Sequence, residues 1–429
     1  MKSSKIAAIA VAATPFCAFA QEAVPAETAV PASAPETAAV PAETAVPASA
    51  SETVAAPAET AVPAEAKGEK RKIVIELPEL PAADDIKIKI SGVIQAQYVY
   101  STTGGDGHAK DRNGFSVRRT TLGATVDAGN GWGGKVVYEF DSGTAGGDSY
   151  SDYIDTAVIT KKIDEFDGTL TVGHKKTHFM TEEYTPSSKL LCIERSLNSN
   201  FVNGNTYARG LSGYHIGVFW EGKIDEATDY GISLTNAVAK DYDKTSNDLA
   251  VTGNIGRKFA LGNDASVYIG VNATVNFGDD GNAEAFGSTS DTALTNAGTV
   301  YGIEPYVQFT SGAFSATAEC YYINGDDDSK IDAFYGVNLS AAYRFPCGFE
   351  PTVRFTYLNT GSGVVNASTQ NRVPSSSGHN NATTYFIGAN YYFGKHVKLA
   401  NGYEYGHYFG GNAGQADSGA FRSMLQIVF

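Results

Sequence analysis

The sequence predicts an all-β protein: a sixteen-stranded antiparallel transmembrane β-barrel over residues 86–429, preceded by a disordered N-terminal arm. Three observations carry this expectation. Segments of about ten residues alternate apolar and polar side chains, the period-two pattern of a wall with lipid on one face and water on the other. Tight turns alternate with long polar connections between those segments. The chain also closes on an alternating strand, with Phe421, Ser423, Leu425, Ile427 and Phe429 opposite Arg422, Met424, Gln426 and Val428. Composition agrees: Gly 46, Tyr 24 and Phe 22 against Met 3 fit strands and turns better than packed helices. After residue 20 no stretch approaches the roughly 18 consecutive apolar residues of a membrane-spanning helix.

The first elements are not barrel. Lys2 and Lys5 precede an apolar stretch from Ile6 to Phe19, and Ala18-Phe19-Ala20 has the small-x-small spacing of a cleavage site. Residues 1–20 are therefore expected to be a signal peptide cleaved after Ala20. Cys17 follows Thr14-Pro15-Phe16, which lacks the small residues of a lipid-attachment box. Residues 21–66 repeat Pro-Ala-Glu-Thr-Ala-Val-Pro-Ala from Pro25, Pro41 and Pro57, a period of sixteen. Built from Ala, Pro, Glu, Thr, Val and Ser, this arm lacks the apolar surface to offset chain entropy and is expected to be extended and disordered. It reads either as an inert tether or as a contact arm for peptidoglycan or another partner. A mixed-charge linker, 67–85, contains Pro78 and Pro81, which stop any regular element.

Strands are expected near 87–100, 115–127, 132–142, 151–163, 168–176, 208–222, 225–238 and 248–261. Eight more fall near 264–278, 299–310, 312–324, 331–346, 348–360, 382–393, 395–409 and 418–429. The first places Ile88, Ile90, Ile94, Ala96, Tyr98 and Tyr100 on one face and Lys87, Lys89, Ser91, Gln95 and Gln97 on the other, with Val93 an exception. An even count lets a closed barrel bring both ends to one side. Gaps after even-numbered strands are tight, as at Ala128-Gly129-Asn130, Gly262-Asn263 and Gly394, whereas 101–114, 177–207, 279–298 and 361–381 are long. Short periplasmic turns and long outer loops are the outer-membrane pattern. The last strand resembles the assembly signal of such barrels, with Phe429 as its aromatic end and the barrel-assembly machinery as the expected partner.

The longest connection, the third loop at about 177–207, is expected to fold into the lumen and narrow it. It carries His178, Glu182, Glu183, Lys189, Glu194 and Arg195, with Lys175, Lys176 and Arg209 at its rims. Both signs across a narrow gap would orient permeating solutes, and solvated loop charges are the plainer reading. The net charge is −15, of which the signal contributes +2, the arm −7 and the linker −1, leaving −9 on the barrel. Lumen charge, not this total, is what an ion feels.

One stretch resembles a known family. Phe115-Ser116-Val117-Arg118-Arg119-Thr120-Thr121-Leu122-Gly123 is similar to the F-x-[VIL]-R-R-x-x-[LIV]-G segment of the phosphate-selective porin O/P family. Gly131-Trp132, Val137-Tyr138-Glu139-Phe140-Asp141, Tyr153-Ile154-Asp155 and Val172-Gly173-His174-Lys175-Lys176 follow in family order, then Leu191-Cys192-Ile193-Glu194-Arg195-Ser196. The resemblance covers roughly residues 86 to 222. It implies a homotrimeric outer-membrane channel for small ions or phosphate, with basic residues along the wall and constriction replacing the water around an anion. Strand parity offers Lys87, Lys89, Lys135, His215, Arg344, Arg354, Lys398 and Arg422 as wall cations, opposed by Glu139, Asp141, Glu304, Glu319, Glu350 and Glu404. In a regular strand at most one of the adjacent Arg118 and Arg119 can face the lumen. The solute stays open between an anion preference and weak selectivity.

Other function classes find little support. No G-x-S-x-G, H-E-x-x-H or metal-ligand cluster occurs among the seven scattered histidines, so neither an enzyme nor a cofactor is expected. Cys192, Cys320 and Cys347 are too far apart to read as a metal set. No basic aromatic patch points to nucleic acid. The alternative to a channel is a structural anchor in the outer-membrane lipid, with the repeat arm as its working part.

Overall fold

The computed structural model describes residues 86–104, 112–140, 154–204, 211–236, 249–277, 299–325, 333–361, 378–412 and 414–429. The signal peptide, arm and linker expected over 1–85 lie outside the described residues. So do Asp141 and Arg209.

Among the described residues sixteen strands follow one another. They are β1 Lys87–Gly104, β2 Arg112–Asp127, β3 Trp132–Glu139, β4 Ile154–Ile163, β5 Gly168–Lys176, β6 Tyr214–Asp225, β7 Thr228–Asn236 and β8 Leu249–Gly262. Next come β9 Ala265–Phe277, β10 Val300–Ser311, β11 Phe314–Gly325, β12 Phe334–Tyr343, β13 Phe349–Asn359, β14 Asn381–Tyr392, β15 Val397–Phe409 and β16 Ala416–Val428. Each pairs antiparallel with its neighbours in sequence, and β1 pairs with β16 to close the barrel. The expected count holds, and β5 spans the predicted residues.

Alternation decides which face each residue takes. Ile88, Ile90 and Ile94 of β1 and Phe421, Leu425 and Ile427 of β16 are exposed on the outer wall, while Gln95, Arg422 and Gln426 are buried inside. An apolar exterior around a polar interior suits a wall between lipid and a watery lumen. No helix among the described residues is long and apolar enough to cross a membrane. The short connections use residues that tolerate positive φ: Gly129, Asn130 and Gly131 turn β2 into β3 at φ 79°, 51° and 75°. Exposed aromatics ring the turn end, among them Trp132, Phe166, Phe345 and Phe393, matching an interfacial girdle.

The seam pairs Val93 with Val428 through Gly104 with Asp417. Beyond it Gly92 N–H donates to Phe429 O at 2.9 Å and Phe429 N–H to Gly92 O at 3.1 Å. The Phe429 ring lies over Gly92, where a Cβ would stand 2.3 Å from the ring. The terminal aromatic thus covers a gap that only glycine leaves on the first strand.

Candidate functional site

The site begins with an irregularity in β2. Its ladder with β1 runs Gln95 to Arg119 and then Ala96 to Val117, so Arg118 is an extra residue. A bulge re-aims the bulged side chain, which corrects the expectation that only one of the two arginines reaches inward. Arg118 donates from Nε to Glu194 Oε1 at 2.6 Å and from Nη2 to Oε2 at 3.2 Å. Arg119 donates to Glu194 Oε2 at 3.3 Å and to Gln95 Oε1 at 3.0 Å. Gln95 in turn donates to Gln426 at 2.7 Å, carrying the contact across the seam.

Glu194 belongs to the third loop, which runs from β5 to β6 and lies inside the barrel. Met180 and Thr181 amides donate to the Glu304 carboxylate of β10, both at 2.7 Å, where helix α1 (Thr181–Tyr184) begins. Glu182 accepts from Arg354 of β13 at 3.1 Å and from the Ser196 amide at 2.8 Å. Glu183 pairs with Lys176 and with Arg195 Nε at 2.9 Å. Further along, backbone carbonyls of the loop accept from wall side chains: Ser188 from Gln426 at 3.1 Å, Leu190 from Lys398 at 3.1 Å, and Leu191 from Asn390 at 2.9 Å. Arg354 also donates to the Glu194 carbonyl at 2.7 Å and to Glu404 at 3.0 Å. The return passes through helix α2 (Leu197–Gly204), where Asn198 donates to Val337 O at 3.0 Å.

Apolar packing secures the same loop. Phe179, Met180, Leu197, Phe201, Val202 and Leu211 are buried against Val300, Tyr321, Ile323, Phe334, Leu358 and Tyr408 of the wall. Each such side chain contributes up to about 1.5–3 kcal/mol by leaving water. Phe179 settles over Gly302, where a Cβ would come within 2.6 Å of its ring.

Charge around loop three is shared out in ion pairs. Arg118, Arg119, Lys176, Arg195, Arg354 and Arg422 meet Glu182, Glu183, Glu194 and Glu404, six cations against four carboxylates. Burial opposes ionisation of Glu194, but the Arg118 and Arg119 guanidiniums outweigh it and hold its carboxyl well below the usual range. For Glu183 too, burial is outweighed, by Lys176 and Arg195, and its pKa is lowered. A depressed folded-state pKa stabilises above the ordinary value of about 4.3 and is lost only as pH falls through the folded value. The Glu183 and Glu194 carboxylates are therefore expected to stay ionised as pH falls from neutrality to about 5. Protonation of either one above about pH 5, read by infrared titration, would sink this account of their pairing.

The profile of the phosphate-selective porin O and P family matches residues 88–429. The chain belongs to that family. Among solved structures it is similar to the outer-membrane channel DcaP of Acinetobacter baumannii, at 16% identity and a TM-score of 0.54, over 82% of this chain and 100% of that one. It also resembles an anion-selective porin from Comamonas acidovorans, at 11% identity and a TM-score of 0.50, over 80% of this chain and 100% of the other. A third likeness is to the trimer form of in-vitro folded OmpT of Vibrio cholerae, at 13% identity and a TM-score of 0.50, over 81% and 100%. No curated protein sequence matches. At these identities the structural likenesses speak to the fold, and family membership makes the protein an outer-membrane porin.

The remaining predicted residues of this porin divide by environment. Lys87, Lys89 and Lys135 on the wall and Lys189 on loop three are exposed, with no carboxylate partner among the described residues. Lys175 donates to Glu221 at 2.6 Å, and the same oxygen meets His178 at 2.7 Å and Tyr184 at 3.2 Å. Arg344 pairs with Glu350 at 2.7 Å and lies over the Tyr392 ring, at the turn end. Glu139 lies beside Asp155 and faces Arg118 and Arg119. His215 is buried, with Nδ1 3.0 Å from the Asn236 carbonyl. Glu319 is buried and accepts from Asn338 at 3.1 Å. Residues missed in the sequence are mostly neutral: Gln95, Gln426 and Asn390, whose inward parity was visible, and Tyr184, for which no local signal existed. Glu221 was also missed, although its parity matched that of His215. Among the described residues, no group of three His, Cys, Asp or Glu side chains is placed to hold a metal.

Proposed function

We propose that this outer-membrane porin passes small hydrophilic solutes without energy coupling and prefers small anions, phosphate among them. The observation that carries the preference is the balance within the ion pairs around the pinned loop, six cations against four carboxylates. Exposed Lys87, Lys89, Lys135 and Lys189 add to it, while Glu304 and Glu319, as buried as Arg354 and Arg422, oppose it. Guanidinium and ammonium groups replace water around an anion, and a narrow lumen makes each unit of charge count. Family membership and the anion-selective Comamonas neighbour support the same direction. The homotrimer rests on family resemblance and on the trimer form of OmpT. Cleavage after Ala20 and recognition of Phe429 by the assembly machinery complete the proposal.

The test is the reversal potential of the purified protein in a planar bilayer under a chloride salt gradient, repeated with phosphate added. A reversal potential of anion sign, with phosphate reducing chloride current, is the expected result. A cation sign overturns the preference. Absence of conductance overturns the diffusion reading itself.

A further inference from the structure

Loop three carries three glutamates that meet wall cations, but they differ in what lies behind them. Glu182 shares Arg354, whose side chain is 1% exposed, and Glu183 serves Lys176 and the loop's own Arg195. Glu194 is itself 2% exposed, yet one of its two partners, Arg118, keeps 25% of its side chain accessible. Among the described loop-three glutamates, only this one joins a buried carboxylate to a guanidinium that stays a quarter accessible. The bulge brings two arginines to a single carboxylate, so the group carries one net positive charge where the arginines alone would carry two.

We propose that Glu194 is the residue that sets the strength of ion selection in this pore, acting as a built-in counter-ion to the Arg118–Arg119 pair. The inference rests on the channel reading above and adds to it the direction in which one side chain tunes the pore. With the carboxylate present, a permeating anion meets a half-neutralised pair. Without it, two adjacent guanidiniums repel one another, and the more accessible one turns toward the lumen.

The substitution Glu194→Gln isolates the charge. Glutamine keeps the shape and an acceptor oxygen for Arg118. The loop on either side is held through backbone atoms that do not involve this side chain: Arg354 to the carbonyls of residues 194 and 195, Asn390 to Leu191 O, and Lys398 to Leu190 O. A role confined to anchoring would change conductance or stability and leave the anion-to-cation ratio alone.

The experiment measures anion-to-cation permeability ratios from reversal potentials for the wild-type porin, E194Q, R118Q and the R118Q/E194Q double variant. One unit charge near the conduction path enters with opposite sign for anion and cation, so E194Q is expected to raise the ratio roughly fivefold in dilute salt. R118Q is expected to lower it by a similar factor, and the double variant to return near wild type. Equal ratios in wild type, E194Q and R118Q would overturn the role of Glu194 while leaving the channel intact. A ratio that moves only together with a large rise in conductance, in E194Q and the double variant alike, would also overturn it, because that marks loop release. If E194Q does not assemble, R118Q against the double variant decides: a higher ratio in the double variant is expected, and equal ratios overturn the role of Glu194. A wild-type protein that passes no current would bring down the channel reading and this inference together.

Discussion

Arg354→Ala is expected to free loop three from the wall and to cost about 3–5 kcal/mol, the range for removing one partner of a buried charge pair. The guanidinium is 1% exposed and ties three things at once: Glu182 of the loop, Glu404 of β15 and the carbonyls of residues 194 and 195. Its loss leaves the buried Glu404 and the half-buried Glu182 short of a cation and removes two backbone anchors in the stretch that crosses the lumen. Single-channel conductance should rise as the constriction opens, and the denaturant midpoint of the folded barrel should fall. Arg354→Lys is not expected to rescue fully, since an ammonium cannot serve these acceptors with a planar fork. Wild-type conductance and midpoint in Arg354→Ala would show that the apolar contacts of Phe179 and Phe201 hold the loop unaided.

Gly173→Ala is expected to damage the barrel directly beneath that loop. Gly173 has φ 129°, and a Cβ there would stand 2.2 Å from the Ala157 carbonyl oxygen and 3.0 Å from Val158 Cα. Both neighbours are backbone of the paired strand β4, so neither can swing aside as a side-chain tip would. Across the other ladder Gly173 faces Gly217, where a Cβ would meet the Leu234 carbonyl at 2.2 Å. Unfavourable backbone geometry and overpacking together cost about 2–5 kcal/mol. Because β5 continues into Lys175 and Lys176, the shift would also reach the Glu221 and Glu183 pairs. Folded yield and denaturant midpoint measure the effect, and an unchanged midpoint would show that the β4–β5 ladder relaxes more easily than its geometry implies.

These contacts show where the sequence could be read and where it could not. Strand number and order were visible because period-two alternation and the turn–loop rhythm are local properties. β5 was placed to the residue, whereas β6 starts at Tyr214 and not near 208, because the third loop continues further than its polarity indicated. The bulge left a trace that went unused. Outward apolar residues fall on odd numbers at Phe115 and Val117 and on even numbers from Leu122 onward, a parity change that needs one extra residue between them. The ion pairs left no such trace. Glu194 meets Arg118 only because Met180–Thr181, Leu190–Leu191 and residues 194–195 are each tied to different strands, and no window of sequence contains that arrangement. For the same reason, inward parity identified wall cations without revealing which were already matched by a carboxylate.

The extra residue in β2 also means that part of this pore's charge is written in chain length and not in residue choice. Deleting one position at 118 would restore an even ladder with β1, leave both ends of the strand where they are, and give Glu194 a single guanidinium. The pair would then be neutral, though no acidic residue had been gained and no remaining residue altered. A change that leaves every other contact of the strand in register would therefore lower the charge around the loop by one unit.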